Sequence, residues 1–112
     1  MDEPQHYGVL TDDGYTIEII EKPDIPKSDL CVTGLYYYTS NVFNKIMELN
    51  PSERGELEVT DLNNMYAAVG DLSYSITTQK WWDCGVDIDH LLQVSNEVKQ
   101  MKVDRDNKWK FL

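Results

Sequence analysis

The amino-acid sequence predicts an α/β fold: a sheet of mixed direction with packing helices. Three observations carry this. Two short β-type runs flank an Asp-Gly turn signal near the start; further runs of aromatic and β-branched residues follow; and three later segments repeat apolar residues at helical spacing. With 112 residues, 41% hydrophobic and 11% aromatic, the chain has the material for one ordered core and one domain.

Tyr7-Gly8-Val9-Leu10 and Thr16-Ile17-Glu18-Ile19-Ile20, joined by Thr11-Asp12-Asp13-Gly14, read as an antiparallel hairpin. Glu21-Lys22-Pro23 ends its second strand, because proline has no N–H for a ladder, and a loop with Pro26 follows. An acid and a base thus stand side by side at a strand end, either as a surface pair or as part of a site. Cys31 to Tyr38, with Val32, Leu35 and three tyrosines, reads as a buried strand central in the sheet. Ser40 is the expected cap of a helix from Asn41 to about Leu49, striped by Val42, Ile46 and Leu49 with Phe43 and Met47 beside them, and closed by Pro51. Thr60 starts a second helix, in which Leu62, Met65, Tyr66 and Val69 share a face and Gly70 is the stop. Leu72, Tyr74 and Ile76 alternate as a further strand, through to Thr78. Asp87 opens a third helix on the stripe Ile88, Leu91, Leu92, Ser95 and Val98.

The net charge of -10 argues against nucleic acid or an anionic membrane as a partner. Five basic residues (Lys99, Lys102, Arg105, Lys108, Lys110) against Asp104 and Asp106 leave the tail after Val98 at +3 and the preceding residues at -13. Such a tail is either a solvated end or a segment that docks on an acidic body. No apolar run reaches the length of a membrane span, and Met1-Asp2-Glu3-Pro4 lacks the character of a secretory leader, so the expectation is a cytoplasmic protein. Cys31 and Cys84, far apart and inside apolar or aromatic stretches, are expected as buried reduced thiols.

Trp81-Trp82-Asp83-Cys84-Gly85-Val86-Asp87 is the stretch with most chemical potential. Two large aromatics can form an apolar wall, Gly85 allows a turn or a close ligand, and Asp83 offers oxygen to a hard cation such as magnesium. Equally, the tryptophans can be core and Asp83 a capping residue. No G-x-G-x-x-G or P-loop pattern occurs.

Tyr7-Gly8-Val9, Glu21-Lys22-Pro23, Pro26-Lys27-Ser28, Val32-Thr33-Gly34-Leu35-Tyr36, Arg54-Gly55-Glu56-Leu57-Glu58-Val59-Thr60-Asp61 and Trp82-Asp83-Cys84-Gly85, in that order, resemble the second half of a sugar-1-phosphate nucleotidyltransferase. The resemblance is to the bacterial glucose-1-phosphate thymidylyltransferases and runs from about Glu3 to Val98. It implies the C-terminal half of a Rossmann-like nucleotidyltransferase domain, with residues 1–98 as the sugar-binding half and 99–112 as a basic tail. It implies an enzyme that joins a nucleoside triphosphate to a sugar 1-phosphate and releases pyrophosphate.

Carried over residue by residue, the resemblance gives Tyr7 and Gly8 wall and backbone contacts to the sugar, and makes Glu21 an acceptor for its hydroxyls. Lys22 becomes the cation on the sugar phosphate, Val32 a backbone contact, Trp81 an apolar floor, and Asp83 one of two aspartates holding Mg2+. Each assignment suits its residue: hydroxyls need fixed acceptors, and an ammonium is a point charge for phosphate. Cys84 and Val86 depart from the hydroxyl residues common after the aspartate. The family's glycine-rich nucleotide loop and other magnesium aspartate have no counterpart in these residues, so nucleoside triphosphate is expected as a partner only with an N-terminal half supplied. The alternative is a non-catalytic sugar-phosphate-binding or oligomerisation module on that fold. Either way, apolar edges left by a missing half predict a homo-oligomer.

Overall fold

The computed structural model describes the backbone of residues 3–109. It divides into two compact units, one ending at Tyr74 and one beginning at Ser75.

In the first unit, β1 (Gly8–Asp12) and β2 (Ile17–Glu21) form the expected antiparallel hairpin, with Gly8 opposite Glu21 and Asp12 opposite Ile17. Its turn is tied by Asp13, whose Oδ1 accepts from the Thr16 and Tyr15 amides at 2.7 and 2.9 Å, while Gly14 takes a φ of 87°. The two amide bonds hold the Asp13 carboxyl below its ordinary value. Gly8, Val9, Leu10 and Ile19 are the buried residues of the hairpin.

The α/β class stands, and among the described residues the sheet consists of these two antiparallel strands. The strand expected over Cys31 to Tyr38 is a stub. The Leu10 amide donates to the Leu30 carbonyl at 2.9 Å and the Val32 amide to the Gly8 carbonyl at 2.8 Å, with a single bridge between Val9 and Cys31. Past Val32 the segment outruns β1, because before Gly8 the chain turns through a 3-10 turn at Pro4–His6. The expected strand at Leu72–Thr78 likewise has no ladder partner among the described residues. Alternation supplies the strand's pattern but not the neighbour its amides require.

The helices α1 (Val42–Glu48) and α2 (Val59–Ala68) fall close to expectation. Ser40 is not the cap of α1. Asn41 takes that position, and its Oδ1 accepts from the Thr39 hydroxyl at 2.6 Å and the Tyr66 hydroxyl at 2.9 Å. Val42, Leu62 and Tyr66 form the core, with Tyr38, Ile46, Leu49 and Leu72 against it. Phe43 and Met47 lie outside it, 71% and 85% exposed, because a seven-residue helix packed on one neighbour buries one stripe only. Gly70 ends α2 as expected: at φ 76° it lets the Asp71 amide reach the Tyr66 carbonyl at 2.9 Å and its own amide the Ala67 carbonyl at 3.1 Å. The buried face of α2 differs from the apolar stripe. Thr60 and Asn63 are buried with Leu62 and Tyr66, while Val69 is exposed. Asn63 accepts from the Tyr38 hydroxyl at 2.6 Å, and Asn64 bonds both backbone groups of Ile19.

In the second unit, α3 (Ile88–Trp109) runs through Val98 without a break, so residues 99–109 of the expected tail are helical; Lys110 and the side chain of Lys108 lie outside the described residues. The expected stripe Ile88, Leu91, Leu92 and Val98 is exposed, and Val94 is the buried residue among the described side chains of this helix. The period was legible, but which stripe is covered depends on what packs there. No described helix is long and apolar enough to cross a membrane.

Asp87 opens α3 as expected. Its Oδ1 accepts from the His90 amide at 2.8 Å and lies 2.9 Å from the His90 ring nitrogen Nδ1. The His90 amide first, and the imidazole second, hold the Asp87 carboxyl below its ordinary value. A depressed carboxylate contributes stability above its unfolded pKa and loses it as pH falls through the lower folded value. Asp87→Asn keeps a capping oxygen without the charge. The variant is expected to melt below the parent at about pH 7 and together with it once both are fully protonated near pH 2. Thermal circular dichroism at the two pH values checks this; a gap that persists in acid would contradict it.

Candidate functional site

Five of the seven expected site residues gather at one end of the hairpin. Register alone brings Gly8 opposite Glu21. The Lys22 amide donates to the Tyr7 carbonyl at 3.0 Å, adding a rung beyond Glu21, and the Val32 amide donates to the Gly8 carbonyl from the other edge. Tyr7, Gly8, Glu21, Lys22 and Val32 are therefore fixed to one another by backbone bonds. Tyr7 and Val32 are half-buried and Gly8 is buried.

Lys22 has a φ of 43°, the left-handed region that costs a residue with a side chain about 1–2 kcal/mol. Pro23 immediately follows, so the chain turns out of the sheet at this point.

Glu21 Oε2 accepts from the Thr60 hydroxyl at 2.6 Å. A Cβ placed on Gly8 would stand 3.3 Å from that same Oε2 and 3.7 Å from Thr60 Oγ1, tighter than an ordinary contact at the carboxylate. Glycine is favoured here by close approach rather than by an unusual φ, since a methyl group would displace the carboxylate by a few tenths of an ångström. The negative charge reaches further. The Tyr36 hydroxyl is pushed up by burial first and by Glu21 second, and the Arg54 guanidinium, raised first by Glu58, also feels Glu21. Arg54 is held 2.7 Å from Glu58, whose carboxyl is lowered by Arg54, by the Ser52 hydroxyl and, more weakly, by Lys22. Thr60 and Tyr36 are thus part of the surroundings of Glu21. Sequence reasoning did not assign them to the site, although Thr60 was legible as a helix start and Tyr36 as part of an aromatic run.

Trp81 and Asp83 belong to the second unit, where both are half-buried. Asp83 Oδ1 accepts from the Gly85 amide at 2.8 Å, so the aspartate caps its own turn. Beside it, Lys80 lies 5.3 Å from the centroid of the Trp82 ring and pairs with Glu97, whose carboxyl that lysine lowers. The expectation of two buried thiols is corrected: Cys31 is half-buried, with its thiol pushed up by burial, and Cys84 is exposed in the turn after Asp83. Among the described residues no three His, Cys, Asp or Glu side chains converge as a metal-binding group. A single carboxylate is nonetheless what a magnesium ion commonly takes from protein when phosphate oxygens supply other ligands, and Asp83 fits that donor set.

A family model described as nucleotidyl transferase matches residues 1–101. The glucose-1-phosphate thymidylyltransferase of Xanthomonas campestris pv. campestris is 47% identical over 74 residues, which cover 64% of this chain and 25% of that protein. The enzyme of the same name from Mycolicibacterium smegmatis is 36% identical over 104 residues, covering 89% of this chain and 36% of that one. A crystal structure described as a glucose-1-phosphate thymidylyltransferase from Bacillus anthracis in complex with a sucrose superposes with a TM-score of 0.73 at 45% identity, over 88% of this chain and 39% of that one. The chain therefore spans well under half the length of these relatives. With the family model covering all but the last residues, the chain belongs to the nucleotidyl transferase family.

Proposed function

We propose that this chain carries the sugar 1-phosphate side of a glucose-1-phosphate thymidylyltransferase site. The observation that carries the reading is the juxtaposition of a fastened carboxylate, Glu21, with a lysine turned out of the sheet in a left-handed conformation, Lys22, beside a glycine whose Cβ position lies close against that carboxylate. Backbone strain of this kind persists where surrounding structure fixes it, often at ligand sites.

In this reading Glu21 accepts hydrogen bonds from sugar hydroxyls, Tyr7, Gly8 and Val32 line the sugar, Trp81 gives it an apolar floor, and the Lys22 ammonium offsets phosphate charge. Asp83 is the residue of this chain that would hold Mg2+, which when bound neutralises phosphate charge during transfer. Residues 1–98 would form the sugar-binding part, with 99–112 as a basic extension. Attack of the sugar phosphate on a nucleoside triphosphate, with loss of pyrophosphate, would need the nucleotide-binding residues carried by the remaining length of the relatives. The free thiols Cys31 and Cys84 suit a reducing compartment, and we place the protein in the cytoplasm.

Calorimetric titration with glucose and glucose 1-phosphate tests the site. Lys22→Ala is expected to weaken the phosphate ester about tenfold more than the free sugar, the scale of one charge-assisted bond, whereas Glu21→Ala weakens both alike. Equal losses for both ligands on Lys22→Ala would make the lysine a surface charge.

A non-catalytic assembly role is a second reading, favoured by the exposure of Phe43 and Met47 on α1. Self-association would cover such residues. Light scattering across protein concentration is expected to show a mass above the 13.0 kDa of one chain; a folded species fixed at that mass would contradict it.

A further inference from the structure

Thr60 is 7% exposed, and its hydroxyl makes no capping bond at the start of α2; it donates instead to Glu21 Oε2 at 2.6 Å. We propose that Thr60 is a positioning residue for Glu21, holding one carboxylate oxygen so that the other is presented to a sugar hydroxyl. This rests on the sugar-site reading above.

Three features support it. A glutamate has three side-chain torsions to fix, and a bond from a hydroxyl to a carboxylate is among the stronger ones available to fix them. Threonine is stiff at χ1 and here sits on a helix rather than a loop, so the donor is itself held. Asn64, one turn further along the same face, clamps Ile19, two residues back along β2, so the helix and the strand cannot slide past each other without breaking both attachments. Oε2 is thus occupied, and Oε1 accepts no hydrogen bond from the described residues. Gly8 leaves the space into which the paired oxygen fits.

A purely structural threonine would also be buried and bonded, so the test must separate the two roles. Titration of the full chain with glucose and glucose 1-phosphate is compared for the parent, Thr60→Val, Thr60→Ser, Glu21→Ala and the double variant Thr60→Val/Glu21→Ala, with Glu21 side-chain couplings read by NMR. Thr60→Val is expected to weaken both ligands by about five- to tenfold, equally, and to release Glu21 into several rotamers. Thr60→Ser should restore parent behaviour, and in the Glu21→Ala background Thr60→Val should cost nothing further. Should Thr60→Val fail to fold, Thr60→Ala takes its place in the same comparison. An equal loss with and without Glu21, or a Glu21 rotamer unchanged on removing the hydroxyl, overturns the proposal. If the parent binds neither sugar, the sugar-site reading falls on its own, and the Glu21 couplings still decide whether Thr60 holds the carboxylate.

Discussion

The attachment of α2 to the outer edge of β2 is the constraint on which the first unit depends. Ile19 turns both backbone groups away from β1, and in a two-stranded sheet such groups would be left to water. Asn64 meets them with both ends of its amide, accepting from the Ile19 amide at 3.0 Å and donating to the Ile19 carbonyl at 2.8 Å. A side-chain amide here takes the place of a third strand. The second attachment, Thr60 to Glu21, follows from simple geometry. Four residues of helix advance about 6 Å and two residues of strand advance roughly 6.6 Å, so donors at positions 60 and 64 match acceptors at 21 and 19 when the helix runs antiparallel to the strand.

That match links packing to the candidate site. Because α2 also carries Leu62 and Tyr66 into the core, the position of the Glu21 carboxylate is tied to the same helix that buries the apolar residues of the unit. On the opposite edge of β1, Val32 and Leu30 make two backbone bonds, and these carry the chain past Gly8 toward the tyrosine run. Tyr36 then stacks on Tyr38, which meets Tyr66 at a tilt, with the hydroxyls of Tyr38 and Tyr66 bonded to Asn63 and Asn41. Polar side chains therefore do much of the joining in this small unit, and each buried one has its partner.

Much of this was legible in the sequence, and the reasons for success and failure are physical. The hairpin was readable because Asp13-Gly14 between alternating runs specifies a turn locally, and the end of α2 because Gly70 supplies the conformation a helix stop requires. The gathering of Tyr7, Gly8, Glu21 and Lys22 followed from the hairpin register. The strands expected at Cys31–Tyr38 and Leu72–Thr78 were misjudged because a ladder needs a partner, which no local pattern declares. Thr60 is legible as a helix start, but its bond to Glu21 and the role of Asn64 are not, because a search for apolar stripes discounts polar residues on a buried face, although here they face a strand edge whose acceptors and donors need them. The exposed stripe of α3 shows the same limit, since period identifies the candidate faces and only packing selects one.

The central claim, that the Asn64 amide stands in for a missing strand at the edge of β2, is tested most directly by amide hydrogen exchange. In Asn64→Ala, exchange of the Ile19 amide should rise about five- to tenfold relative to the parent, one lost hydrogen bond being worth roughly 1 kcal/mol or somewhat above, while amides that bond across to β1 keep most of their protection. An Ile19 amide that exchanges no faster in Asn64→Ala would contradict the account.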